Sequence, residues 1–155
     1  MSRSDQAPAP PLEEGERLLA LDVGDARIGL ATGTVGSLLA FGRGSLTRQG
    51  TRKDVAALLA MLADEGMAAV VVGLPVRLGG EESAQTERVR RFAAELRAAG
   101  ARVEFEDERL TTRIAQRQVG ASGLPRSRRQ EKGRLDEAAA VLILESYLRR
   151  VKGQE

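Results

Sequence analysis

From Arg17 onward the chain falls into short apolar runs separated by turn residues, and the order of those runs predicts the elements of a fold. Residues 17–23 (RLLALDV) are mostly apolar and stop at Gly24-Asp25, the pattern of a buried strand followed by a turn. Two more strands are expected over 28–33 and 38–46, both rich in glycine as hairpins with tight turns often are. Over 51–65, Val55, Leu58, Leu59 and Leu62 recur at helical spacing, and Gly66 stands where a helix would end. Ala68 to Val72 is an unbroken apolar run, as in a strand covered on both faces, and Gly73-Leu74-Pro75 breaks it.

A second helix is expected over 82–99, with Val89, Phe92, Ala93 and Leu96 inward and Gly100 as its stop. A strand follows over 102–107, then a short helix capped by the Thr111 hydroxyl. Residues 120–133 combine turn residues with charges and read as a loop, and a last, largely buried helix is expected over 136–150. Helices between the later strands imply right-handed crossovers and parallel pairing. The expected class is therefore α/β: a mixed five-stranded sheet with an antiparallel start, a parallel finish and helices on both faces.

Composition narrows this picture. A chain of 155 residues with 42% hydrophobic and 30% charged positions suits one globular domain with a real core. That domain is expected over 17–150, between a flexible N-terminal tail (1–16, with Pro8, Pro10 and Pro11) and a C-terminal tail (151–155). No apolar run approaches the roughly 20 residues needed to span a bilayer. Met1 to Pro11 also lacks the apolar core of a signal peptide, so a cytoplasmic protein with no membrane partner is expected.

The chain contains neither Cys nor His. Disulfides, zinc–thiolate sites, Cys nucleophiles, Ser-His-Asp triads and imidazole bases are all excluded. Any catalysis must come from carboxylates, Lys, Arg, Ser, Thr or the lone Tyr147, with a hard cation such as Mg2+ or Mn2+ as the natural helper. Net charge is only +2, but it is unevenly spread. Arg109, Arg113, Arg117, Arg126, Arg128, Arg129, Lys132 and Arg134 share their stretch with a single acid, Glu131. Such a stripe suits a polyanion, although a solvated basic loop would look the same.

Three acids do not fit the usual pattern of exposed helix surfaces. Asp22 lies on the same strand face as Leu18 and Ala20, where an ionised carboxylate costs several kcal/mol (order of magnitude) unless paired or coordinated. The alternative is an Asp that merely caps the Gly24 turn. Glu108 closes a run of three acids at a strand end, which repel unless a cation offsets them or water screens them. Asp136 opens the last helix, where it could simply complement the helix dipole. In a mixed sheet of this order all three can converge on one edge. Two divalent ions there, roughly 3.5–4 Å apart, could activate water and stabilise a leaving oxygen.

LALDVGDARIGLA (19–31), VVVGLPVRLGG (70–80), DERLTT (107–112) and LDEAAAVLILESYL (135–148) together resemble the YqgF/RuvX-type family of pre-16S ribosomal RNA nucleases and Holliday junction resolvases. The resemblance covers about residues 17–150, with the motifs in the family's order. It implies a ribonuclease-H-like fold and metal-dependent hydrolysis of nucleic acid, either structured RNA, at the ribosome or elsewhere, or branched DNA. Matched by position, it makes Asp22, Glu108 and Asp136 the catalytic, metal-holding acids, and ranks Asp107 and Glu137 below them. The chain departs from the family at Thr32-Gly33-Thr34, where Ser-Asp is common, and at Glu137, where Lys is common; Glu137 is expected to make the site more negative.

Softer expectations attach to other residues. Gly24, Gly29, Gly73 and Pro75 would let backbone approach a substrate at the sheet edge, though plain turns would also need them. Arg109, Arg113, Arg126, Arg128, Arg129, Lys132 and Arg134 are candidate phosphate contacts. Glu81 and Glu82 argue against a phosphate at the start of the second helix. With four aromatics and no Trp, base stacking is a poor main grip.

Two rival classes remain open. One is a phosphotransferase of the sugar-kinase and actin type, whose phosphate loop also begins Asp-x-Gly, but which needs two such domains. The other is a binding factor in ribosome assembly or transcription that keeps the fold without the activity. A monomer would suffice to trim RNA, whereas cutting a four-way junction symmetrically needs a two-fold dimer.

Overall fold

The computed structural model describes residues 9–76, 79–109 and 128–153, with side chains in the last segment from Lys132 onward. Five strands form one sheet: β1 (Arg17–Val23), β2 (Arg27–Thr34), β3 (Ala40–Thr47), β4 (Met67–Leu74) and β5 (Val103–Asp107). Helix α1 (Thr51–Glu65) joins β3 to β4, and α2 (Ala84–Ala98) joins β4 to β5. The last described helix, α3 (Arg128–Lys152), closes the fold.

The strand order is β3-β2-β1-β4-β5. The first three strands pair antiparallel, while β4 runs parallel to both β1 and β5, so the expected antiparallel start and parallel finish are both present. This topology sends β1, β4 and β5 towards the same edge with their carboxyl ends together.

Strand alternation divides the core in two. Leu19, Leu21, Ile28, Leu30, Val70 and Val72 face α1 and α2, which contribute Val55, Leu58, Leu62, Val89, Phe92 and Leu96. Leu18, Ala20, Ala31, Ala69 and Val71 face the other way, against Ile143, Leu144, Tyr147 and Leu148 of α3. Ile143 and Leu144 are fully buried, and each contributes about 1.5–3 kcal/mol by that burial. Leu12 packs beside this second cluster, and Gly15 and Glu16 exchange backbone hydrogen bonds of 2.9 Å with Val35.

Helix α2 starts later than the sequence pattern suggests, because Ser83 caps it. Its hydroxyl accepts from the Thr86 N–H while the Thr86 hydroxyl accepts from the Ser83 N–H, a reciprocal capping box. A larger difference concerns α3. Residues 128–133, expected as loop, are already helical, so the helix begins about two turns before Asp136. Gly133 and the dense charges suggested a turn, but a glycine costs a helix only about 1 kcal/mol, which packing readily overrides. Asp136 is therefore not a helix-terminal acid, and dipole complementation does not account for it. The short helix expected from Thr111 lies outside the described residues.

Candidate active site

Asp22 sits near the end of β1 on the face covered by α3, and its neighbours along the sheet are glycines. It pairs with Gly29 of β2. On the other side Leu21 is level with Val72, so the next residues along these parallel strands, Asp22 and Gly73, stand side by side. Gly73 is in turn level with Glu106 of β5. The resulting row across the sheet reads Gly29, Asp22, Gly73, Glu106, with a carboxylate between two positions that carry no side chain.

Each glycine is required by what lies above it. A Cβ on Gly29 would stand 1.9 Å from the carbonyl oxygen of Asp136, so α3 rests its backbone directly on this position. A Cβ on Gly73 would meet the Ile143 side chain at 2.4 Å and the Glu108 carboxyl carbon at 3.1 Å. Gly29 was expected to admit a ligand; what it admits is the protein's own helix. Its effect is to bring Asp136 over β2 beside Asp22.

Glu108 follows β5 and keeps its direction, because its N–H donates to the Leu74 carbonyl at 3.1 Å. By strand alternation it shares the α3 face with Glu106, whereas Asp107 points the other way. Asp107 is held by Arg109, which donates from its backbone N–H at 2.8 Å and from Nε at 2.7 Å. Partial burial works to raise the Asp107 pKa, but those bonds and the Arg109 charge hold it below the usual range. The face of β5 thus separates the two adjacent acids: Asp107 belongs to an ion pair and Glu108 to the cluster.

The electrostatics of that cluster are unusual. Burial, then the charge of Asp136, pushes Asp22 up to about 6. Burial, then Asp22 and Asp107, pushes Glu108 up to about 8. Asp22 is therefore coupled to an acid on either side. Asp136 is paired with a cation, Arg27 Nε donating to its Oδ2 at 2.8 Å. Among the described residues no group of three or more acidic side chains stands close enough to hold a metal ion.

Arg27 was not singled out in the sequence, although a signal existed. It lies two residues before Gly29 on the strand paired with Asp22, so alternation places it on the α3 face. A second unanticipated group is Glu106, which is buried and accepts from Ser146 Oγ at 2.6 Å and from Arg150 at 2.7 and 2.9 Å. Those bonds fasten the carboxyl half of α3 to β5.

The other expected residues fall in several places. Gly24 forms the β1–β2 turn, donating to the Arg27 carbonyl and accepting from Arg48 Nη1, both at 2.9 Å. The Pro75 carbonyl accepts from the Thr86 hydroxyl and so ties the β4 end to the α2 cap. Glu137 does not add charge to the acid cluster as expected. It lies over Gly42 and accepts from the Gly44 N–H, fastening α3 to β3. Lys132 and Arg134 are exposed on α3; Arg128 and Arg129 lie in its first turn, and Arg113 and Arg126 lie outside the described residues.

A mixed five-stranded sheet in this strand order, with helices on both faces, has the ribonuclease-H-like α/β arrangement. Comparison with known proteins makes this specific. The family model described as "RuvX: Holliday junction resolvase" matches residues 16–150, and the chain belongs to that family. A relative from Thermus thermophilus, named "Putative pre-16S rRNA nuclease", is 50% identical over 134 residues, which cover 86% of this chain and 98% of that one. "Ribonuclease YqgF" of Deinococcus radiodurans is 41% identical over 150 residues, 97% of each chain. A solved structure titled "T. thermophilus RuvC in complex with Holliday junction substrate" aligns over 87% of this chain and 96% of that one, at 21% identity and a TM-score of 0.49. Among the described residues no helix is long and apolar enough to cross a membrane.

Proposed function

We propose that this nuclease hydrolyses phosphodiester bonds of RNA in the 5'-end maturation of pre-16S ribosomal RNA, using Asp22, Glu108 and Asp136. The observation that carries the reading is the place of Asp22, between Gly29 beneath the Asp136 backbone and Gly73 beneath the Glu108 carboxyl group. Three carboxylates gathered at one edge serve no purpose in merely binding a polyanion. Relatives along nearly their whole length bear names that specify this RNA.

The donor set suits Mg2+ or Mn2+, since it consists of hard oxygens under mutual repulsion. When bound, the ion supplies Lewis acidity towards water and towards the phosphate. The protein's own part is positional. Asp22 supplies a carboxylate flanked by two glycines, one beneath the Asp136 backbone and the other beneath Ile143 and the Glu108 carboxyl group. Glu108 and Asp136 would hold the ion together with Asp22, and Arg27, which pairs with Asp136 at 2.8 Å, would lie beside it within reach of a substrate phosphate.

The test is cleavage of two labelled substrates, a precursor 16S leader RNA and a four-way DNA junction, with Mg2+ or Mn2+ and beside Asp22→Asn. Cutting of the leader that needs metal and is lost in the variant supports the reading. The family model's description favours the junction as a second substrate. Paired nicks on the junction alone, from a two-fold dimer, would establish that substrate instead. Full biological rescue by Asp22→Asn would leave only a binding role.

A further inference from the structure

A large groove lies on the opposite face of the sheet from α3, between α1 and α2, with a volume of about 1120 Å³. It starts at Val23, Gly24 and Asp25, the residues that directly follow Asp22, and runs along α2 from Gln85 to Ala99. The acid cluster and this groove therefore share one edge of the sheet, with only the β1–β2 turn between them.

Its charges are concentrated at the end nearest that edge. Arg52, Arg88 and Arg91 are exposed on its walls, while Arg48 forms part of its floor. Arg48 is committed to structure, bonded to the buried Asp54 and stacked 5.0 Å from the centre of the Phe92 ring. The other three are only loosely paired where they are paired at all. Arg88 lies 3.5 Å from Asp25, and Arg91 lies 3.9 Å from Glu87, all four side chains being at least half exposed. Exposed pairs of that kind are worth at most about 1 kcal/mol, so a phosphate displaces them readily. Farther along, the lining is alanine-rich, with Ala94, Ala98 and Ala99, and carries one exposed acid, Glu95.

We infer that this groove is a second substrate surface, which holds the phosphodiester backbone of the RNA strand beyond the scissile bond. The inference rests on the nuclease reading and extends it. Two features select the occupant: the groove continues from the edge that carries Asp22, and its guanidinium groups cluster at that end. An open channel of that size takes a few nucleotides. Arginines contribute phosphate contacts that confer affinity without sequence reading, and the alanine-rich stretch accommodates sugar faces. An acidic protein segment would satisfy the charge but would have no reason to begin beside Asp22.

The test uses the full chain in an Asp22→Asn background, which prevents turnover. Binding of a labelled leader RNA and of a four-way DNA junction is followed by fluorescence anisotropy over a range of salt. Arg52→Gln, Arg88→Gln and Arg91→Gln are combined, and thermal melting checks that these exposed changes leave the fold intact. The expected result is RNA affinity lower by about tenfold and a salt slope smaller by about 2, from three lost contacts at roughly 0.7 each. Asp25→Asn, which removes the acid at the groove mouth, is expected to tighten RNA binding.

Unchanged RNA affinity and slope in the triple variant, with the parent still binding, would overturn the groove while leaving the nuclease reading in place. A loss confined to junction DNA would overturn the choice of RNA. No RNA or DNA binding by the parent would overturn both readings.

Discussion

Arg27 Nε lies 2.8 Å from Asp136 Oδ2, so the one acid that the helix brings to the site arrives already paired with a cation from the neighbouring strand. The pair explains how α3 can press its backbone onto Gly29 with a carboxylate beside Asp22. Under the proposed function it also sets a competition, since Arg27 and a metal ion would draw on the same carboxylate.

Removing that competitor has a measurable effect. Arg27→Gln is expected to tighten Mn2+ binding several-fold in calorimetry. Loss of a partly exposed pair costs about 1 kcal/mol or less of stability. Weaker or unchanged Mn2+ affinity would show that Arg27 does not stand in for the ion.

The three acids make a second prediction. Asp22→Asn, Glu108→Gln and Asp136→Asn should each lower cleavage on the order of a hundredfold or more. Circular dichroism of each variant should remain that of the parent. Undiminished turnover in one of them would remove that residue from the mechanism.

Acidity gives a third. In the metal-free protein Glu108 is raised to about 8 and Asp22 to about 6. A carboxyl group whose folded pKa lies above its unfolded value binds more protons in the native state than in the unfolded one. Stability should therefore fall as pH rises from about 4, where the unfolded carboxyl groups begin to ionise while the folded ones stay protonated, to about 8. Glu108→Gln should flatten most of that decline, by several degrees in Tm, and Mg2+ should oppose it. A parent melting curve insensitive to pH over this range would contradict the coupling.

The glycines make a fourth. Gly29→Ala would force its methyl group into the Asp136 carbonyl, and a backbone atom cannot swing aside. A loss of about 3 kcal/mol, near 10 °C in Tm, is expected from such overpacking. Gly44→Ala has open space around the new Cβ but sits at φ 80°, so it serves as a control for backbone strain alone. Equal losses in the two would mean that helix contact is not what Gly29 provides.

Much of the architecture was legible because apolar periodicity reports burial. The bounds of α1 and the runs of β1 and β4 follow from Val55, Leu58 and Leu62 and from the apolar residues 18–21 and 69–72. What escaped depends on contacts between distant segments. Gly133 reads locally as a breaker, yet α3 continues through it. Glu137 reads as part of the acid cluster from its place beside Asp136, yet one step around a helix turns it towards β3 instead. Asp107 and Glu108 show the same geometry in a strand, where adjacent residues face opposite sides and only one can join Asp22. Arg27 was recoverable from hairpin alternation, but its importance depends on a helix more than a hundred positions away.

The placement of α3 also bears on how the protein is born. Asp22 is made well before α3, which among the described residues supplies most of the cover on that face of the sheet. Ile143, Leu144 and Tyr147 come after Asp136 in the chain, so the segment that covers that face is also the one that delivers the final carboxylate. Under the proposed function, the acid set is complete only once the segment that covers this part of the core has been made.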